Sequence, residues 1–392
     1  MKAYWFPLHQ GFSVVRDDMK LVLMVAGEAS ADQYGAELVK EILLRDPDVE
    51  FLGIGGEKMA GAGVNILFTA GEMAVVGLTE VLPRIAKIFI ASRNLQRIVK
   101  EKRPDLLILL DYPDFNIHLA KSAARRGVPV LYYISPQIWA WRKGRVRKIR
   151  KRVDRMAVIL PFEEPFYREK GVRVEYVGHP ILDIWPDSFH DHSTRSEADS
   201  AFPLLGIVPG SRAEEVRSLL PRMLSAAALL KKSYPDLRCV LPLAQTVDEK
   251  LVDRFIAEAS VPVVLSRKGM YDTLKRCNAI IAASGTVTLE IALMGIPMVV
   301  VYRISRLSYE VGKRVIHVPY ISLVNLVAGR EVVPELIQED ANPENMASEI
   351  GLLLRDVNAR DLMVRDLKVV SERLGERGAS ARTAEIALDM MR

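Results

Sequence analysis

From Leu21 onward, short apolar runs recur at nearly even spacing, with amphipathic stretches between them. Residues 21–26, 49–54, 64–68, 105–110, 128–134, 155–160 and 174–177 form a first series. A second series runs through 204–208, 238–241, 261–265, 279–282 and 297–301. Runs this short and this apolar suit parallel strands covered on both faces. The stretches between them suit crossover helices. The pattern predicts an α/β chain of two Rossmann-like, doubly wound domains, over 19–186 and 204–365. The polar segment 187–203 reads as a linker between them. Residues 366–392 are helical in period and are expected to pack back on the first domain. Residues 1–18 fit neither series and read as a peripheral extension before Met19.

Composition narrows the class. The chain has 392 residues, 49% hydrophobic and 26% charged, which is globular rather than disordered. A net charge of +5 favours anionic partners: nucleic acid, acidic lipid or a phosphorylated substrate. Cys239 and Cys277 sit in apolar contexts and read as small buried hydrophobes, as in a reducing compartment. The six His and two Cys show no metal-ligand spacing, so no metal and no cofactor are expected. No run approaches the roughly 20 apolar residues of a spanning helix, and residues 1–20 lack the apolar core of a signal peptide.

The strand exits carry the chemistry. After the run 279–282 come Ala283, Ser284, Gly285 and Thr286, then a helix expected to carry Glu290 on its second turn. A small turn before a helix start lets an anion approach backbone N–H groups, and Glu290 is then placed for a ribose diol. An ordinary capped helix is the plainer reading. Gly27, Glu28, Ser30 and Asp32 lie at the first strand's exit, where open α/β sheets place ligands. Ser30 and Asp32 are equally plain helix caps. The turn lacks the full G-x-G-x-x-G fingerprint, so no nicotinamide cofactor is implied. Gly210, Ser211 and Arg212 follow the second domain's first strand, with Arg212 set to reach a phosphate.

Asp111 and Asp114 stand three apart between a strand and a helix. Like charges brought close raise one pKa, which suits a general base. The segment 73–99 holds more apolar residues than one helix stripe needs. Val75, Val76, Leu78, Val81, Leu82 and Ile85 are its candidates for a membrane or acyl patch, with a helix starting near Pro83. Trp139 and Trp141 precede eight cations within residues 142–152, a pairing that suits a membrane interface or nucleic acid. Residues 320–331 read as a donor-rich loop in which Asn325 and Arg330 can meet a sugar or phosphate.

Taken together, residues 27–32, 110–116, 135–141, 209–212, 283–290 and 322–331 resemble bacterial lipid-A-disaccharide synthases, from about Met19 to the C-terminal helices. The family's first turn commonly has Gly where this chain has Ala31. The resemblance implies a B-type (GT-B) glycosyltransferase fold, with two sheet domains facing a cleft. It implies inverting transfer from UDP-2,3-diacylglucosamine to 2,3-diacylglucosamine 1-phosphate (lipid X), at the cytoplasmic face of the inner membrane. The first domain would take the acceptor and meet anionic lipid. The second would hold the UDP-sugar. Asp114, Arg212 and Asn325 match essential family positions, which leaves open which acid is the base; Asp114 is taken here as the base with Asp111 tuning it, and Asp111 is the next candidate. No nucleic-acid partner is expected, and a homodimer is compatible with the helical C-terminus. Asp105 matches a further family acid, but it opens a strand, which favours a structural role. The rivals are a UDP-N-acetylglucosamine 2-epimerase, an undecaprenyl-linked transferase, a non-catalytic lipid binder and a basic nucleic-acid-binding protein.

Overall fold

A computed structural model describes residues 19–73, 81–140, 143–186, 202–244, 246–316 and 318–392. The first sheet contains β1 (Lys20–Ala26), β2 (Val49–Gly55), β3 (Val64–Thr69), β4 (Leu106–Leu110), β5 (Val130–Tyr133), β6 (Arg155–Val158) and β7 (Val174–Tyr176). Between these strands run α1 (Ala29–Arg45), α2 (Glu57–Gly61), α3 (Ala70–Met73), α4 (Val81–Glu101), α5 (Pro113–Ala124), α6 (Val146–Arg150) and α7 (Glu163–Arg168). The strand order is β3-β2-β1-β4-β5-β6-β7, and the strands pair in parallel.

The second sheet repeats the plan with β8 (Leu204–Val208), β9 (Arg238–Pro242), β10 (Val263–Ser266), β11 (Ala279–Ala283), β12 (Met298–Tyr302) and β13 (Glu335–Ile337). Its order is β10-β9-β8-β11-β12-β13, again parallel. Its helices are α8 (Ala213–Ser233), α9 (Glu249–Ala257), α10 (Met270–Leu274), α11 (Val287–Leu293), α12 (Arg306–Val315) and α13 (Leu323–Ala328). Three more follow: α14 (Pro343–Arg355), α15 (Val357–Arg373) and α16 (Ala379–Met390). In both sheets the order reverses beside the first strand, so a crevice opens at the strands' carboxyl ends.

The apolar runs are buried because the sheets are covered twice. Val22 and Met24 face one core cluster, Leu23 and Val25 the other. Carboxylates and amides pin the opposite, amino ends of the strands. Asp105 accepts from Leu21 N at 2.7 Å, Asp154 from Val130 N at 2.8 Å and Asn278 from Leu204 N at 2.8 Å. Asp105 therefore holds a strand start, far from the carboxyl ends where ligands bind.

The C-terminus returns to the first domain, but later than residue 366. Helix α15 still packs on α11 and α13, and only α16 lies along α1. Asp183 secures the return by accepting from Gly378 N at 2.6 Å and Ser380 N at 2.7 Å. His179 N donates to Leu374 O at 2.9 Å.

Four local expectations change. The helix expected from Pro83 begins at Val81, and Glu290 lies in the first turn of α11 rather than its second. The expected loop 320–331 contains α13, and β13 follows it. Three residues of edge strand are too short to leave a period in the sequence. Residues 1–18 and most of 187–203 lie outside the described residues. So do Val75, Val76 and Leu78, while Val81, Leu82 and Ile85 belong to the first turns of α4.

Candidate active site in the interdomain cleft

On the first domain, the turns after β1 and β4 meet at the carboxyl ends of the strands. Gly27 is buried, and a Cβ there would lie 2.6 Å from the Tyr112 ring, so packing demands glycine. Asp111 and Tyr112 both adopt the left-handed region, with φ of 45° and 44°. Non-glycine residues rarely do so, and such strain concentrates at functional sites. The Asp111 carbonyl is held by Asn116 Nδ2 at 2.7 Å and Tyr132 Oη at 2.5 Å.

The Asp111 carboxyl lines a cavity of about 80 Å³. Ser30, Tyr34, Glu163 and His179 line it from the first domain, and Thr286 and Leu323 from the second. Burial, and then the Glu28 charge, push the Asp111 carboxyl up to about 7, while Arg212 pulls it back. The raising charge is thus Glu28, not Asp114 as the three-residue spacing suggested. Asp114 sits in the first turn of α5, 74% exposed, and pairs with Arg145.

Around this cavity the first domain is closed by internal bonds. Glu163 is buried and accepts from Trp139 Nε1 at 3.0 Å and Leu160 N at 3.0 Å. Burial raises its carboxyl to about 7. Ser135 Oγ lies 2.7 Å from Tyr167 Oη. His179 Nδ1 accepts from Ile181 N at 3.1 Å, and burial drives its pKa down to about 3. It is a neutral imidazole with its proton on Nε2. Trp139 is core rather than an interfacial anchor, because Glu163 holds it inside; Trp141 lies outside the described residues.

The second domain presents smaller and more open groups. Gly210 has φ of 108°, and a Cβ there would lie 2.2 Å from Glu215 Oε2. That glycine lets the Glu215 carboxylate accept from Ser211 N at 3.1 Å and Arg212 N at 3.3 Å. The Arg212 guanidinium is exposed and reaches Glu28 across the cleft, Nη2 to Oε1, at 3.4 Å. Ser284 N donates to Val301 O at 3.0 Å, and its hydroxyl to Ile321 O at 3.3 Å. A Cβ on Gly285 would meet nothing within 4 Å, so this turn opens onto free space. Burial raises the Glu290 carboxyl to about 7, against a hydrogen bond from Tyr271.

The cleft therefore gathers Glu28, Ser30, Asp111, Arg212, Thr286 and Glu290. Three expected residues serve the framework instead. Asp32 Oδ1 accepts from Gly56 N at 2.6 Å and Met59 N at 3.1 Å, capping α2 rather than facing a ligand. Asn325 is fully buried. Its Nδ2 donates to Val333 O at 2.9 Å and Glu335 Oε1 at 2.8 Å. Its Oδ1 accepts from Val332 N at 2.8 Å and Val333 N at 3.1 Å, so the amide holds the turn after α13. Arg330 lies beyond the far end of α13 from Leu323 and pairs with Asp366 at 2.5 Å. Sequence reasoning missed Tyr34, Tyr271 and Glu163, whose partners are remote in the chain. Among the described residues, no group of three or more His, Cys, Asp or Glu is placed to hold a metal ion.

Comparison with known proteins gives the family. The family model described as lipid-A-disaccharide synthetase matches residues 22–387. The chain belongs to the lipid-A-disaccharide synthase family. It is 50% identical to the lipid-A-disaccharide synthase of Geobacter metallireducens, over 95% of this chain and 97% of the relative. The counterpart in Myxococcus xanthus is 45% identical, over 94% and 97%. This family membership makes the chain a glycosyltransferase of lipid A biosynthesis. Solved structures share the fold. The UDP-GlcNAc 2-epimerase of Neisseria meningitidis superposes with a TM-score of 0.60 at 14% identity, covering 94% of this chain and 100% of that one. MurG of Acinetobacter baumannii superposes with a TM-score of 0.58 at 14% identity, covering 95% and 99%. The expected GT-B architecture is thus present, and the epimerase and MurG likenesses are likenesses of fold. No helix among the described residues is long and apolar enough to cross a membrane.

Proposed function

We propose that the chain condenses UDP-2,3-diacylglucosamine with 2,3-diacylglucosamine 1-phosphate to give a β-1,6-linked disaccharide 1-phosphate and UDP. The observation that carries this reading is the Arg212–Glu28 contact across the cleft, near the half-buried Asp111 carboxyl. It sets a cation for the leaving diphosphate opposite an acid-lined turn for the acceptor. The acceptor 6-hydroxyl attacks the anomeric carbon as the bond to UDP breaks. Its proton passes to Asp114, whose exposed carboxylate at the start of α5 a lipid-linked sugar can reach. Arg212 and the 284–286 turn stabilise the departing UDP, and Glu290 holds its ribose. The proposal includes no metal and no cofactor.

A second reading exchanges the two acids. Asp111 lines the cavity, and a carboxyl near 7 suits a base at neutral pH.

The membrane side belongs to the same proposal. Helix α4 buries Ala91, Leu95 and Val99 but exposes Phe89 and Ile90. Arg147, Lys148, Arg150 and Lys151 of the same domain are exposed on and just after α6. Exposed apolar groups and exposed cations on one domain suit an anionic bilayer at the cytoplasmic face of the inner membrane.

The test is turnover of both lipids in detergent with EDTA present, following UDP and disaccharide. Disaccharide from the wild-type chain supports the assignment, and its absence from a folded, UDP-binding chain overturns it. Asp114→Ala is expected to lose about 10²–10⁴-fold in rate. If Asp114→Ala keeps its rate and Asp111→Asn removes the acid limb of the pH profile, the second reading replaces the first.

A further inference from the structure

Helix α12 is unlike the other helices of the second domain. It follows β12 at the cleft end of the sheet, and among the described residues no helix or strand packs broadly against it. Val311 and Val315, one turn apart on one face, are 55% and 42% exposed, and Ile316 just beyond is 45% exposed. Arg306, Lys313 and Arg314 are exposed on the rest of the helix, against the single acid Glu310. Ser305 caps its start, accepting from Ser308 N at 3.2 Å. A helix of ten residues carrying an internal glycine is marginal in water on its own. An amphipathic helix of this length is instead stabilised by a surface that takes its apolar face.

We propose that α12 is an in-plane membrane contact of the second domain. Val311, Val315 and Ile316 enter the acyl boundary of an anionic bilayer, and Arg306, Lys313 and Arg314 meet lipid phosphates. This goes beyond the first-domain patch around α4, and it rests only on the family's work on lipid-linked sugars, not on which acid is the base. Charge complementarity selects the occupant. A second copy of the helix would bring three cations against three cations, whereas an anionic lipid surface neutralises them. Position gives the contact a use. The chain leaves α12 for Ile321, whose carbonyl accepts from Ser284, and for Leu323, which lines the cavity. Immersing α12 therefore brings the donor side of the cleft to the bilayer, and acyl chains need not be fully extracted.

The test exploits the buried native cysteines. A Val311→Cys chain is labelled with a polarity-sensitive fluorophore, with Val264→Cys on edge strand β10 as the exposed control. Vesicles of phosphatidylethanolamine and phosphatidylglycerol are compared with phosphatidylcholine alone. The expected result is a blue shift and quenching by shallow spin-labelled lipid at 311 but not at 264, with phosphatidylglycerol and fading with salt. Lys313→Gln with Arg314→Gln is expected to weaken vesicle binding about tenfold or more, and to leave turnover of detergent-dispersed substrates unchanged. A silent 311 label on a chain that floats with vesicles overturns the proposal, because the first domain then binds alone. A concentration-dependent shift without vesicles also overturns it, in favour of a second copy. So does a shift with detergent-dispersed donor lipid but not with vesicles, which would make the helix an acyl-chain site. If turnover fails while the label responds to vesicles, the substrate assignment falls and this inference stands.

Discussion

The two walls of the cleft are built by opposite rules. The first-domain wall is lined by buried polar groups that mostly bond to their own domain: Glu163 to Trp139, Ser135 to Tyr167, His179 to Ile181. The second-domain wall offers an exposed guanidinium and a glycine with open space above it. One wall is held by its own hydrogen bonds. The other keeps its strongest charge free to change partners. On the proposed function the difference follows from their tasks, since an acid would be held at a chosen pKa while a leaving diphosphate brings its own charge. A preorganised wall also avoids reorganisation during reaction.

The sharpest way to break this contrast is Arg212→Ala. Its partners Glu28 and Glu215 are surface carboxylates, so the exposed pairs add little to folding. Stability is expected to change by less than about 0.5 kcal/mol. Loss of a charge-assisted contact to the leaving group is expected to lower kcat/KM by about 10²–10³-fold. Thermal unfolding and steady-state kinetics on the same preparation check both halves. A large fall in stability would mean that the second wall, too, is held by internal bonds.

Asn325 supplies the converse. Asn325→Ala leaves Val332 N, Val333 N and Val333 O without their side-chain partner inside the protein. Unsatisfied buried groups cost about 1–3 kcal/mol each, and the relaxed total is expected near 3 kcal/mol. Denaturant unfolding measures it. Activity lost at unchanged stability would return Asn325 to the ligand.

Much of the fold could be read from the chain because parallel strands buried on both faces leave continuous apolar runs. Strand exits then located Gly27, Asp111, Gly210 and Ser284 without a structure. What escaped was set by partners distant in sequence. Asp32 looks like a cap for its own helix, yet its acceptors serve amides at 56 and 59. Trp139 looks interfacial until Glu163, 24 residues on, is seen to hold its indole. Asn325 looks like a donor for a sugar because its bonds to 332–335 leave no mark in composition. Helix α12 leaves little mark, because ten residues make fewer than three turns and so hardly establish a period.

Asp111 gives a pH test of the first wall. Its folded pKa of about 7 lies above the ordinary carboxylate value, so the native state binds the proton more tightly than the unfolded chain. That contribution to stability is complete below about pH 4 and is lost as pH rises towards 7. Asp111→Asn removes the titration, so it is expected to gain on the wild type with rising pH, by about 2 kcal/mol at pH 8 after allowance for partial exposure. Unfolding midpoints from pH 4 to 8 check the slope. A gap that does not change with pH would mean that the carboxyl is not held protonated.

The smallest effect comes from Gly285→Ala. No protein atom lies within 4 Å of the added Cβ, and Gly285 has an ordinary negative φ region available to alanine. Stability is therefore expected to rise or stay level, by no more than about 0.5 kcal/mol, since alanine loses less chain entropy on folding. The methyl group instead intrudes on the space above the turn. If a diphosphate approaches that backbone closely, UDP binding weakens about tenfold while unfolding is unmoved; calorimetry with UDP measures it. Unchanged UDP affinity would mean that the open space is ordinary solvent, and the anion would then rest on Arg212 alone. That outcome would narrow the second wall to a single side chain, and it would make the Arg212→Ala loss the whole of its contribution.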